Sequence, residues 1–238
     1  MLLEIAVFNM DSAILAAASN ADRLELCDNI YDGGTTPSYA LLEMAVQKLS
    51  IPVFPMIRPR GGDFLYSETD FQIMLKDIHY CKNLGYTGIV TGLLDKNGHI
   101  DTKRLNKLVE AAYPMDVTFH RAFDRCMNPF ESLEKIIDCG CERILTSGQQ
   151  PNAIMGKDLI KALIEKAENR ITIIAGSGVR KENILDLARY TGAIELHTSA
   201  RKDIPSHMEF TCESMQENIS NVSVDCEEIR AMKKIISS

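Results

Sequence analysis

With 238 residues, 45% of them hydrophobic and 25% charged, the chain has material for one large core and is too short for two comfortable α/β domains. A net charge of -7 without any Lys/Arg block argues against a nucleic-acid surface, which needs clustered cations to displace counterions. Seven cysteines, an odd number lacking the spacing of a small disulfide framework, fit reduced thiols better than bridges.

The opening stretch, MLLEIAVFNMDSAILAAAS, is apolar, but it has no cationic leader segment, and Glu4, Asn9 and Asp11 interrupt it. It reads as a strand followed by a helix, not as a signal sequence. No stretch reaches the roughly 20 apolar residues of a membrane span. The expectation is therefore a cytoplasmic protein with no membrane partner.

Downstream, short runs of β-forming residues alternate with amphipathic segments, the pattern of β/α units around a parallel sheet. Eight runs read as strands: 2–7, 23–27, 53–58, 88–92, 116–120, 143–146, 172–175 and 194–197. The clearest helix starts at Ser67 with an S-x-x-D capping signature. It carries Phe71, Met74, Leu75, Ile78 and Cys81 on one face and meets a stop at Gly85. Similar faces occupy 38–49, 101–112, 129–139, 157–167 and 183–190. Eight strands with mostly short loops in a chain of this length predict a single-domain (β/α)8 TIM barrel over residues 1–238. An open doubly wound sheet is the alternative. After Ala200, about 25 residues of little periodicity precede a last helix over 225–236, and such a loop serves function or an interface, or is disordered.

Strand alternation assigns the inward side chains. If Leu3, Ile5 and Val7 pack on helices, then Glu4 and Ala6 face inward, and the same parity puts Arg23, Glu25 and Cys27 inside strand 2. Thr118 and His120 of strand 5 and Glu195 and His197 of strand 8 follow. Together with Arg58 these charges must pair or line a wet cavity, because an isolated buried ion costs several kcal/mol. Those nearest the strand C-termini, namely Cys27, Arg58, His120 and His197, stand where barrel enzymes carry their sites.

The strand exits are distinctive: CDNIYDGGTTPS, RPRGGDF, HRAFD, TSG and AGSGV. Arg58 and Arg60 suit bidentate contact with a carboxylate or phosphate. Gly176, Ser177 and Gly178 after strand 7, with Ser199 after strand 8, occupy the two loops from which many barrels build a phosphate site. His120 and Asp124 form an acid/base pair or a metal pair, and Cys27 with His120 and His197 makes a thiolate/imidazole set for a soft or borderline metal. The triplet Cys139-Gly140-Cys141 precedes strand 6, on the opposite face, and reads as a turn with incidental thiols.

In order, ADRLELC with GGTTPS, MIRPRGGDF, TFHRAFD, RILTSG, AGSGV and ELHTSA closely resemble the CutC family over residues 2–202. Thr35, where the family more often has Leu, and Thr91, in place of a commonly apolar residue, are the departures. The resemblance implies a cytoplasmic (β/α)8 barrel, a homodimer or higher homo-oligomer, with a role in copper homeostasis. Cu(I) would then bind Cys27 together with His120, His197 or Met56. The alternative from the residues themselves is an enzyme of lyase, isomerase or hydrolase type acting on a small anionic or phosphorylated metabolite. Arg58 and the two loops would hold the anion, and His120 would be the acid/base, oriented by Glu25 or Asp124. A third reading is an oligomeric interaction protein using residues 201–224.

Overall fold

Every one of the eight apolar runs forms a strand in the computed structural model, which describes residues 1–237. The strands are β1 (Leu2–Val7), β2 (Arg23–Leu26), β3 (Val53–Pro55), β4 (Gly88–Thr91), β5 (Asp116–Phe119), β6 (Arg143–Thr146), β7 (Thr172–Gly176) and β8 (Glu195–Thr198). Helices follow them in turn: α1 (Met10–Ala18), α2 (Tyr39–Lys48), α3 (Glu68–Leu84), α4 (Thr102–Ala112), α5 (Pro129–Asp138), α6 (Lys157–Ala167) and α7 (Ile184–Thr191), with α8 (Cys226–Ser237) last. The sheet order β3-β2-β1-β8-β7-β6-β5-β4 is parallel throughout, and a bridge from Met56 to Val90 joins β3 to β4. The result is the (β/α)8 barrel.

Local chemistry sets the boundaries. Ser67 and Asp70 form both halves of a capping box on α3, and Gly85 ends that helix at φ 87°, a conformation open to glycine at no steric cost. Strand β3 is three residues shorter at its C-terminal end than its apolar run. Beyond Pro55 the backbone changes partners: the Ile57 N–H donates to the Val90 carbonyl, and the Thr36 N–H to that of Arg58. The segment after β8 is not structureless. It contains an antiparallel hairpin, β9 (Arg201–Ile204) and β10 (Asn221–Val224). Asn9 Nδ2 donates to the Val222 carbonyl and fixes the hairpin against the start of α1. Between its strands, Met208, Phe210 and Met215 are exposed. Cys139 and Cys141 are free thiols flanking Gly140, which turns at φ 84°.

The main apolar core lies between the strands and the helices, with Leu3, Ile5, Leu24, Leu26, Phe71 and Phe119 all sealed within it. The strand residues among them are the helix-facing parity positions, and Phe71 packs on them from α3. The barrel interior has a different character. At its floor Arg23 contacts Glu4 directly and reaches Glu195 at 2.5 Å, and Arg143 bonds Asp116 at 2.8 Å and lies 3.5 Å from Glu195. Arg143, which the strand-parity reading left out, is therefore the second cation of this layer. Both guanidiniums lie over the Phe54 ring, 5.1 and 5.3 Å from its centroid, where each gains cation–π attraction.

Phe54 fits because its neighbour on the adjoining strand β4 is glycine. A Cβ on Gly88 would come within 2.3 Å of the Phe54 ring, so any side chain there displaces the ring on which both arginines rest. Gly88→Ala is expected to destabilise the fold by about 1–3 kcal/mol, the usual cost of overpacking. Urea unfolding checks this: a midpoint unchanged at unchanged slope would contradict the packing described.

Candidate functional site

A cavity of about 630 Å³ opens at the C-terminal mouth of the barrel. Glu25, Arg58, His120 and His197 reach it from β2, from the chain beyond β3, from the end of β5 and from β8. The volume suits a small metabolite.

Its inner wall is a chain of titratable groups. Glu4 is sealed; it takes the Arg23 guanidinium on one oxygen and His197 Nδ1 on the other at 2.8 Å. Burial opposes its charge, but His197 and Arg23 outweigh burial and hold the Glu4 carboxyl down at about 2. His197 Nε2 then faces Glu25 at 3.8 Å. Burial alone would lower the His197 pKa; Glu25 and Glu4 together raise it. Among the described residues Glu25 meets no guanidinium or ammonium, and His197 is its nearest positive group. Burial raises its pKa, its Oε2 accepts from the Cys27 thiol at 3.6 Å, and its Oε1 is buried without a hydrogen-bond partner.

His120 is held differently. Its Nδ1 accepts the Ala122 N–H at 3.1 Å, so in the neutral ring the proton sits on Nε2. Nε2 is buried and has no partner. The ring is wedged by Phe64, 5.0 Å between centroids, and depends on Gly92, where a Cβ would approach Nδ1 to 2.6 Å. Burial and the Arg58 charge push its pKa down to about 3. With Nδ1 engaged and its pKa lowered, His120 is placed to donate from Nε2 as a neutral ring.

Other expected site residues separate on inspection. Arg58 lines the cavity, yet its Nη1 donates to the Asp32 and Gly34 carbonyls at 2.6 and 2.7 Å and its Nη2 to Gly62 at 2.9 Å. It ties two strand-exit loops together, leaving Nε without a partner. Arg60 does not line the cavity. Its guanidinium is occupied by Asp63, Asp70 and the Leu65 carbonyl, and it clips its own loop to the start of α3. Asp124 does not orient His120: its carboxylate accepts from Arg121 Nε at 2.7 Å, from Thr146, and from the amides of Ser147 and Gln149. Gly176 makes room instead of binding, since a Cβ there would meet Leu145 at 2.6 Å and His197 at 3.1 Å.

Ser177, Gly178 and Ser199 do line the cavity, from the loops after β7 and β8. Each loop holds a non-glycine residue at positive φ, Ser177 at 81° and Ala200 at 40°. Such conformations cost about 1–3 kcal/mol and concentrate at functional sites. Four more arginines, which the sequence reading passed over, line the same cavity: Arg121, Arg125, Arg180 and Arg201. Their signal was present in the motifs HRAFDR and AGSGVR and in the residue after TSA, but loop residues carry no periodicity to assign a direction. Among the described residues, no hydrogen bond or ion pair engages the side chains of Arg125, Arg180 or Arg201.

The residues do not make a copper site of the expected kind. Cys27, His120 and His197 are not gathered around one point; among the described residues the only three-ligand group is Glu4, Glu25 and His197. Glu4 in that group is already satisfied by Arg23, and two carboxylates are hard donors, whereas Cu(I) selects thiolate and thioether. Burial, then the adjacent Glu25, push the Cys27 thiol well above its ordinary range and keep it protonated. His120 could offer Nε2 to a metal only by moving its proton to Nδ1, against the Ala122 N–H.

The two cavity histidines should therefore titrate in opposite directions. His120 is expected to remain neutral, protonated on Nε2, down to about pH 3, while His197 takes its proton above the ordinary histidine value. By linkage, His120 contributes stability that is lost as pH falls below ~6.5 toward 3, and His197 contributes stability lost as pH rises through its raised pKa. Imidazole nitrogen chemical shifts followed by NMR check this; His120 titrating near 6.5 would contradict the geometry.

The fold and its motifs match known proteins. The CutC family model matches residues 1–202. A CutC family protein of Parabacteroides distasonis is 45% identical over 238 residues, covering 100% of this chain and 98% of the relative. A solved structure of CutC from Streptococcus agalactiae superposes with a TM-score of 0.80 at 35% identity, covering 84% of this chain and 98% of that one. N-(5'-phosphoribosyl)anthranilate isomerase from Pyrococcus furiosus, at 12% identity and a TM-score of 0.59, covers 100% of this chain and 98% of its own and shares the fold. The chain belongs to the CutC family.

Proposed function

We propose that this CutC-family chain is an enzyme acting on a small phosphorylated metabolite at the barrel mouth. The observation that carries the reading is the charge of the cavity wall: Arg58, Arg121, Arg125, Arg180 and Arg201 face it, against Glu25, Asp32 and Asp124. Asp124 is neutralised by Arg121, and Asp32 is engaged by Asn29. Two of the uncompensated cations, Arg180 and Arg201, follow β7 and β8, so the phosphate belongs between Arg180, Arg201, Gly178 and Ser199. Asn183 Nδ2 and Thr198 Oγ1 hold the Gly178 and Val179 carbonyls at 3.0 and 2.8 Å, which keeps those oxygens from opposing an anion. The rest of the ligand then extends toward Arg58, His120 and Glu25.

Ribose 5-phosphate is expected to stabilise the protein in a thermal-shift titration, and ribose is not. Arg180→Ala should weaken that binding about 10-fold or more, as charge-assisted hydrogen bonds to phosphate are worth about 1.5–3 kcal/mol. Equal responses to the sugar and its phosphate would overturn the reading.

Copper binding, the property attached to the family's label, draws support from Cys27 and Met56, which share one interior cluster. The protonated thiol and the adjacent carboxylate argue against it. In competition with a chelator for Cu(I), wild type and Cys27→Ser are expected to behave alike; a loss of affinity on substitution would restore the copper reading.

A further inference from the structure

We infer that the reaction is proton transfer at the carbon beside a carbonyl, the chemistry of an isomerase, with Glu25 as the base and the His120 Nε2–H as the donor to the carbonyl oxygen. The inference rests on the phosphorylated-ligand reading above and names the class within it: a phosphorylated aldehyde, ketone or sugar.

Two residues that line this cavity each carry a buried polar atom without a partner, and the two atoms are of opposite kinds. Glu25 Oε1 is an acceptor on β2, and His120 Nε2 is a donor at the end of β5. Glu25 is 5% exposed and His120 3% exposed. An unsatisfied buried polar group costs about 1–3 kcal/mol, so both atoms are stabilised by a ligand that offers a hydrogen to one and a lone pair to the other. A carbonyl compound with an acidic neighbouring C–H does both. The protein fixes each atom from behind: the Ala122 N–H locks the His120 tautomer, and the Cys27 thiol holds the other Glu25 oxygen.

A neutral imidazole does not neutralise a phosphate. It does suit an oxygen whose charge grows during reaction, because a donor already oriented in a dry site needs no reorganisation. The low His120 pKa, about 3, keeps the ring in this neutral form. No lysine lines the cavity among the described residues, so a Schiff-base lyase has no amine to form it.

In the step, Glu25 Oε1 takes the proton from the carbon next to the carbonyl. The C–H pair becomes a C=C bond, and the carbonyl π pair moves onto oxygen, where the His120 N–H stabilises it. Glu25 returns its proton to the neighbouring carbon, and a hydroxyl proton passes between the two oxygens. Atoms and electrons balance without an oxidant or co-reactant. His197, 3.8 Å from Glu25 and anchored by Glu4, is a positioning residue for the base.

The test uses the full chain in D2O with dihydroxyacetone phosphate, glyceraldehyde 3-phosphate and ribose 5-phosphate as probes. Loss of the C–H signal beside the carbonyl is followed by proton NMR, and binding by thermal shift. Wild type is expected to exchange that hydrogen in at least one probe. Glu25→Gln should slow exchange about 1,000-fold, and His120→Gln about 100-fold, with binding retained in both. Glu25→Asp should recover part of the rate, which a purely structural role would not give. Binding without exchange in the wild type, or exchange undiminished in a folded, ligand-binding Glu25→Gln, overturns the proton-transfer assignment alone. Failure of every probe to bind overturns the anion reading beneath it.

Discussion

The barrel interior is organised by the cost of keeping ions out of water. Carrying a carboxylate or guanidinium into a low-dielectric core costs several kcal/mol unless partners surround it. Glu4 is sealed and ionised, so it demands two donors, and Arg23 and His197 supply them. Those donors come from β2 and β8, the strands on either side of β1. The same contacts thus fasten three neighbouring strands and fix the direction of the His197 ring. Glu25, one layer higher, is left with a protonated thiol and, 3.8 Å away, the His197 ring as its only positive neighbour at that range among the described residues. That graded supply of positive charge separates a structural carboxylate from a chemical one.

The arginines follow the same logic in reverse. At the floor, Arg23 and Arg143 meet carboxylates and the face of Phe54. At the mouth, Arg125, Arg180 and Arg201 meet no carboxylate among the described residues, and the loops after β7 and β8 include residues at positive φ. A protein with a net charge of -7 that keeps unpaired arginines around one cavity focuses positive potential there. The copper in the family's label has no comparable arrangement here, since the soft donor Cys27 is paired with Glu25 and closed into an apolar cluster.

Much of this was legible before the structure. Strand parity identified Glu4, Arg23, Glu25, His120, Glu195 and His197 as interior, because the period of a strand is two and the apolar set on the other face leaves no freedom. Arg143 escaped the same rule because Ile144 and Leu145, one facing the helices and the other the cavity, are both apolar and leave the parity of β6 open. Sequence could not tell that Arg60 and Asp124 would be consumed by their own loops: nearness to a strand end does not reveal what else competes for a side chain. Nor could it reveal the His120 tautomer, which depends on one backbone N–H two residues on. The hairpin within 201–224 was invisible because only Ser223 and Val224 of its second strand are buried, too short a stretch to show alternation.

The central claim is that the barrel mouth holds a phosphorylated carbonyl compound with phosphate and carbonyl at opposite ends of one cavity. A crystal structure of the protein soaked with ribose 5-phosphate tests it most directly. The account predicts phosphate density against Arg180, Arg201 and Ser199, and the carbonyl or hydroxyl end within hydrogen-bond reach of His120 Nε2 and Glu25. Phosphate bound elsewhere, or a metal ion between Cys27 and His197, would contradict it.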